Sequence, residues 1–217
     1  MFPPKILPII FMKLIYYYTL YIFYLWYNLV NKFTIERVIN MNITTERLIL
    51  RPIIQEDITD YFAFYSDEEN CRYLLNEPWN KDNMDENFKP KLENKSFLKR
   101  SSTLLSVVFK NKAIGEISII SCDMKDTIEI GYIFNSDYAH QGFALEALTA
   151  TFDYLFLNKE THRIYADVDA RNFKSARLCE NLFMRKEAHH IEDYWNKGEW
   201  TDSLIFGILK REWLAKK

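Results

Sequence analysis

Gly131-Tyr132-Ile133-Phe134-Asn135-Ser136-Asp137-Tyr138-Ala139-His140-Gln141-Gly142-Phe143-Ala144-Leu145-Glu146-Ala147 decides how this chain is read. It begins at the end of an apolar run, Thr127–Phe134, rich in β-branched and aromatic residues, which predicts a strand. A short polar loop follows and opens into a segment of different period. From Gln141 to Phe156, residues Ala144, Ala147, Leu148, Thr151, Leu155 and Phe156 recur at helical spacing, which predicts a helix with one buried face. The first turn of that helix contains Gly142. A helix start carries unsatisfied N–H groups and the positive end of the dipole, and a residue without Cβ lets an anion approach the backbone closely. The turn therefore reads either as a phosphate seat or as a tight bend relieved by glycine. It is not a P-loop, because no Gly-Lys-Ser/Thr follows.

Working outward, Arg47–Arg51 reads as a strand stopped by Pro52, and Asp57–Tyr65 spaces Ile58, Tyr61, Phe62 and Tyr65 as an amphipathic helix. Residues 76–96 are polar, contain Pro78 and Pro90, and leave room for one short helix. Thr103–Phe109, Ala113–Ile120 and Thr127–Phe134 are joined by short polar links, the first being Lys110-Asn111-Lys112, so the centre reads as an antiparallel meander. Downstream come a strand at Arg163–Val168, a helix capped by Asn172 and running to about Leu182, and a last strand at Ser203–Leu209. The order is β-α-(α)-β-β-β-α-β-α-β: a mixed α/β domain without the βαβαβ repetition of a dinucleotide fold and without internal repeats.

Composition narrows the classes. Of 217 residues, 48% are hydrophobic and 27% charged, close to globular averages, which excludes disorder and fibrous folds. A net charge of −2 gives no general attraction for nucleic acid. Cys71, Cys122 and Cys179 are widely spaced, which argues against a disulfide framework or a zinc site and for a reducing, cytoplasmic compartment. His189-His190 has no third ligand at metal spacing.

The averages hide a seam near Met41. Residues 1–40 hold 11 of the 35 aromatic residues, carry a charge of +3 and contain no Ala, Gly, Ser or Asp, whereas 41–217 carries −5. Leu14–Asn31 is 18 residues without a charge, the length of a membrane span, but six are tyrosines, which favour the membrane interface. A signal peptide lacks its small-residue cleavage site here. Two readings stay open: an anchor through residues 14–31, or an upstream extension that is not part of the native protein. Residues 41–217 are expected to form one domain.

Within that domain Glu129 sits between Ile128 and Ile130, so alternation turns it to the opposite side of the sheet from its neighbours. It reads as a general base held on a rigid element, or as a solvated strand residue. Asn172-Phe173-Lys174-Ser175 reads as a capped helix start, and Tyr194-Trp195 with Trp200 as an aromatic cluster.

Taken together, 41–217 resembles the GNAT superfamily of acetyltransferases, and within it the RimJ/RimL type. The resemblance rests on Thr45–Arg51, Ile128–Ile133, His140–Ala147, Asn172–Arg177 and Asn196–Asp202, in that order. It implies a GNAT-like fold, a central mixed but mostly antiparallel sheet of about six to seven strands with about four flanking helices. It implies acetyl-CoA as co-substrate and no metal, with the pyrophosphate on the amides of His140, Gln141, Gly142, Phe143 and Ala144. The pantetheine would lie along Ile133 and Phe134, with Asn172 touching the cofactor. The acceptor would be a primary amine, on a small molecule or a protein N-terminus, and the protein a monomer or homodimer without nucleic acid. Glu129 would be the base and Ser175 the hydroxyl that assists the leaving thiolate, with Tyr194 as the alternative acid. The acceptor cleft would be built from residues 57–97 and 190–202, with Trp79, Tyr194 and Trp195 as possible walls. Two positions depart from the family pattern: Ala139 replaces an Arg or Gln, and Leu182-Phe183-Met184 replaces Leu-Gly-Phe, which suggests a different turn after the second helix. An alternative is a non-catalytic acyl-CoA-binding regulatory module.

Overall fold

The computed structural model describes residues 41–93 and 102–216. The chain divides into Met1–Met41 and Asn42–Lys217, and the second unit is described here. The leader, with the 14–31 anchor reading, and residues 94–101, which include the end of the polar segment at 94–96, lie outside the described residues.

Eight strands form one sheet: β1 (Ile43–Thr44), β2 (Ile49–Pro52), β3 (Ser102–Phe109), β4 (Lys112–Ser121), β5 (Thr127–Phe134), β6 (Arg163–Asp169), β7 (Arg185–Asn196) and β8 (Glu199–Leu209), in the order β1-β2-β3-β4-β5-β6-β8-β7. Among the described residues six helices flank it: α1 (Ile58–Tyr65), α2 (Glu68–Cys71), α3 (Met84–Leu92), α4 (Phe143–Asn158), α5 (Phe173–Asn181) and α6 (Lys210–Leu214). The α/β class and the GNAT-like layout hold, with more strands than expected. β1 is only two residues long, and β7 is almost wholly exposed, so neither carries the apolar alternation that marks a half-buried strand.

Local chemistry explains the joints. The β3–β4 hairpin turns on Lys110 and Asn111, both at positive φ (47° and 65°), the twist that two-residue hairpins require. In α4 the forecast face is buried at Ala147, Leu148, Thr151, Leu155 and Phe156, joined by Phe143 and Phe152. Below α1, Tyr61, Phe64, Tyr65, Cys71, Trp79, Phe88 and Ile133 form one core cluster, in which Tyr65 and Trp79 stack at 4.5 Å. Trp79 is thus a packing residue rather than a cleft wall.

This side of the sheet also holds a satisfied polar seam. Arg51 donates a two-pronged pair of bonds to Asp57 (2.7 and 2.8 Å), and Ser106 links Asp57 (2.9 Å) to Tyr61 (3.0 Å). Burial pushes the Asp57 carboxyl up, but the Arg51 fork, the Ile54 amide and the Ser106 hydroxyl outweigh it and hold it below the usual range.

The turn after α5 corrects the sequence expectation. Phe183 stands at φ 60°, with its N–H on the Glu180 carbonyl and that of Met184 on the Cys179 carbonyl. That is the left-handed Schellman closure that glycine normally makes. The turn is kept and a phenylalanine is forced into it. Left-handed backbone costs an ordinary residue about 1–2 kcal/mol, partly offset by glycine's greater freedom in the unfolded chain. Phe183→Gly is therefore expected to add roughly 0.5–1 kcal/mol, a rise of about 1–4 °C in unfolding midpoint. A lower midpoint would mean that the Phe183 contacts with Trp213 and Lys216 outweigh the strain.

Candidate active site

Among the described residues β5 and β6 are the one parallel pair in the sheet, and they stay together only briefly. Thr127, Ile128 and Glu129 pair with Arg163, Ile164 and Tyr165. Beyond that point β5 continues to Phe134 on β4, and β6 continues to Asp169 on β8. The sheet therefore opens between them, leaving the β5 edge from Ile130 to Phe134 without a strand partner on that side among the described residues. Backbone N–H and C=O groups on such an edge seek a partner.

Alternation sends side chains to opposite faces of this opening. Glu129 shares its face with Ile133, in the cluster beneath α1. At the apex the Tyr165 hydroxyl donates to Glu129 Oε2 at 2.7 Å, and the Cys122 thiol lies 3.4 Å from the same hydroxyl. Burial, then the Cys122 and Glu129 contacts, push the Tyr165 phenol well above its ordinary value, so it stays a hydrogen-bond donor.

Tyr132 points to the other face. Its hydroxyl lies 2.7 Å from Ser175 Oγ and 3.4 Å from Cys179 Sγ, both on α5. Burial pushes the Tyr132 phenol up and the Cys179 thiol to about 11, so both remain protonated at neutral pH. Glu129 and Ser175 thus flank one opening from opposite faces.

At the far end of the β5 edge, after the 3₁₀ turn Ser136–Tyr138, the loop bends through His140 (φ 60°) and Gly142 (φ 79°) into α4, whose start no side chain caps. Ala144 is half-buried, while the Phe143 ring is core, packed on Phe109 at 4.6 Å. A neighbour that the sequence reading passed over shapes this loop. Arg47 donates to the Gln141 carbonyl (3.0 Å) and to Glu146 (2.6 Å), and lies over the Phe143 ring. Thr45 donates to Glu146 as well, and these partners outweigh burial to hold its carboxyl below the usual range. The signal lay in the Thr45–Arg51 stretch, which was read as a strand and a resemblance motif with no partner given to Arg47.

The remaining forecast residues fall as follows. Asn172 Oδ1 accepts from the Ser175 N–H at 3.0 Å, capping α5, which leaves its amide N–H₂ to other partners. Tyr194 lies on β7, 42% exposed, with no hydrogen bond to Glu129 or Ser175 among the described contacts. Trp195 and Trp200 pack edge-on at 5.4 Å across the exposed β7–β8 hairpin. A cavity of about 360 Å³ lies where that hairpin meets α2, lined by Glu68, Arg72, Glu77, Arg171, Lys197 and Glu199 among others. On β6, the Tyr165 hydroxyl on Glu129 was not foreseen from the sequence.

Residues 47–185 match the family model for the acetyltransferase (GNAT) domain. The chain belongs to the GNAT acetyltransferase family. The uncharacterised N-acetyltransferase YnaD of Bacillus subtilis is 28% identical over 80% of this chain and 99% of its own length. The uncharacterised N-acetyltransferase p20 of Bacillus licheniformis is 30% identical over 78% and 96%. The crystal structure of a GNAT-family acetyltransferase from Bacillus anthracis superposes with a TM-score of 0.70 at 28% identity, covering 79% of this chain and all of that one. GNAT enzymes use acetyl-CoA; in this GNAT domain an unpaired strand edge lies beside the opening, and the N-cap of α4 is Gly142.

Gly142 tests the loop geometry. Gly142→Ala is expected to cost about 1–2 kcal/mol, because a Cβ disfavours the left-handed backbone. That corresponds to a fall of roughly 2–8 °C in midpoint. An unchanged midpoint would show that the loop can adopt a negative φ at no cost.

Proposed function

We propose that this protein transfers an acetyl group from acetyl-CoA to a primary amine, on a small molecule or a protein N-terminus, by direct attack on the thioester. The observation that carries the reading is the parting of β5 and β6 beside an uncapped helix start. The amides of His140, Gln141, Gly142, Phe143 and Ala144 would hold the pyrophosphate, and the Ile133–Phe134 edge the pantetheine. The Asn172 amide would give the cofactor a further contact. Relatives with named acceptors span both classes: the ribosomal protein uS5-alanine N-acetyltransferase of Escherichia coli, 25% identical, and the spermidine N(1)-acetyltransferase of Vibrio cholerae, 28% identical over 100 residues.

The chemistry asks little beyond placement. An ammonium must lose a proton before its nitrogen can attack, and Glu129, held by Tyr165, takes it. As the C–N bond forms, a backbone N–H of the open β5 edge near Tyr132 supports the carbonyl oxygen. The C–S bond then breaks, and the second proton leaving the acylated nitrogen passes to the thiolate through the Ser175 hydroxyl, which Tyr132 orients and which ends as it began. Tyr194 is the alternative donor. The regulatory-module reading rested on the changed 182–184 turn, and Phe183 preserves that turn.

We place the catalytic unit in 41–217 and the protein in the cytoplasm, a reading supported by its three unpaired thiols. Among the described residues no helix is long and apolar enough to cross a membrane.

Acetyl-CoA at about 100 times Kd is expected to add about 2.7 kcal/mol, a rise of roughly 5–10 °C in midpoint. Glu129→Gln should keep that rise while losing about 10²–10⁴-fold of turnover, read as release of free CoA thiol. A wild-type protein whose midpoint ignores millimolar acetyl-CoA would refute the reading.

A further inference from the structure

β7 is exposed along almost its whole length, yet it ends on a buried residue, and that residue is polar: Asn196, 6% exposed. Its backbone pairs with Glu199 across the turn at Lys197 and Gly198, but among the described residues no protein group hydrogen-bonds its side-chain amide. Buried amides are ordinarily paired, because an unpaired one loses its hydration without return. No fully enclosed side-chain nitrogen or oxygen among the described residues lacks a partner, so the Asn196 amide has its access through the cavity that it lines. At about 360 Å³ that cavity lies within the roughly 300–1,000 Å³ range of small-molecule sites.

The cavity stands at the mouth of the β5–β6 opening. α2 forms one wall, and Ser136, in the turn that follows β5, donates to Asp67 just ahead of α2 at 3.1 Å. Arg171 forms another, just beyond the end of β6, where it grips Asp169 at 2.7 Å and Glu199 on β8. The hairpin tip closes the space, with the Lys197 ammonium donating to the Cys71 carbonyl at 2.6 Å. Charges of both signs line it. Arg171 is neutralised by its two carboxylates. Lys197 has no carboxylate partner among the described residues, and Arg72 has only Glu69 at 3.6 Å, in a pair whose side chains are both more than half exposed. Opposite in sign, Glu68 and Glu77 line the cavity with no ion pair among the described residues.

We infer that this cavity seats an amino-acid head group, so that the acceptor is a zwitterionic amine rather than a polyamine. The head-group ammonium meets Glu68 and Glu77, its carboxylate meets Lys197 and Arg72, and the Asn196 amide completes the set of hydrogen bonds. On the transferase reading, on which this rests, a second amine at the far end of the molecule reaches Glu129 and is acetylated. A ligand with charge of one sign only would leave half of the lining unmatched and meet like charge from the other half.

The test is steady-state kinetics with acetyl-CoA and three matched probes: L-lysine, 1,5-diaminopentane, which is lysine without its carboxylate, and 6-aminohexanoate, which is lysine without its α-ammonium. The wild type is expected to acetylate lysine at the side-chain nitrogen, with a kcat/KM roughly tenfold or more above that of either truncated probe, because each leaves charged groups of the cavity unmatched. Glu77→Gln should cut the advantage over 6-aminohexanoate about fivefold or more, and Arg72→Gln the advantage over 1,5-diaminopentane by as much. Asn196→Ala should raise the KM for lysine, while the KM for acetyl-CoA stays within about twofold in all three variants. Glu77 and Arg72 are exposed, so their variants should unfold at the wild-type temperature and read the cavity even where loss of the buried Asn196 amide unsettles the hairpin. Use of 1,5-diaminopentane as good as that of lysine would overturn the inference, as would advantages that neither Glu77→Gln nor Arg72→Gln changes. So would a wild-type protein that acetylates none of the three probes while acetyl-CoA still raises its midpoint. Absence of any acetyl-CoA effect on the midpoint would instead strike the transferase reading itself.

Discussion

The site depends on backbone pairing that stops. After Glu129 and Tyr165, β5 and β6 no longer hydrogen-bond to each other, although both continue for several residues against other neighbours. A sheet can part in this way only if each strand is held firmly on its other side, and here β4 and β8 do so along their length. What remains is a wedge lined by backbone donors and acceptors, with a glutamate at its apex on one face and a serine bonded to tyrosine on the other. The long helix α4 begins where the β5 edge ends, so a chain-like ligand laid along the edge meets the positive end of a helix dipole.

The walls of the wedge are stiff for reasons that differ between its faces. On the α1 side, buried polar groups are fully engaged. The Arg51–Asp57–Ser106–Tyr61 seam ties the start of α1 to β2 and β3, and Lys91 reaches from α3 to Glu116 at 2.9 Å while lying over the Tyr65 ring. Among the described residues no buried side-chain nitrogen or oxygen lacks a partner. Such networks fix one arrangement, because breaking any bond in them leaves a desolvated polar group. On the α5 side the fastening is lighter: the Asn172 cap, the Tyr132 hydroxyl and a left-handed turn at Phe183.

Much of this was legible in the sequence where a local rule sufficed. The periodicity of Ala147 to Phe156, the Asn172 cap and the hairpin at Lys110-Asn111 depend on neighbours three or four positions away, and all three came through. The bend into α4 was visible in Gly142 alone. What the sequence hid was non-local. Arg47 reaches Gln141 across 94 residues, and Tyr165 reaches Glu129 across 36. β7 was missed because a strand exposed along nearly its whole length has no apolar alternation to read. Phe183 shows the opposite limit: a residue change suggested a new turn, but the hydrogen bonds to Cys179 and Glu180 were enough to keep the old one.

The central claim is that the open β5 edge is where the acyl thioester lies, and amide hydrogen exchange measures it directly. With acetyl-CoA bound, the amides of Gly131–Phe134 and of the His140–Ala144 loop should gain protection together, while those in the paired stretch Thr127–Glu129 change little. Binding of acetyl-CoA with no added protection along Gly131–Phe134 would contradict the account.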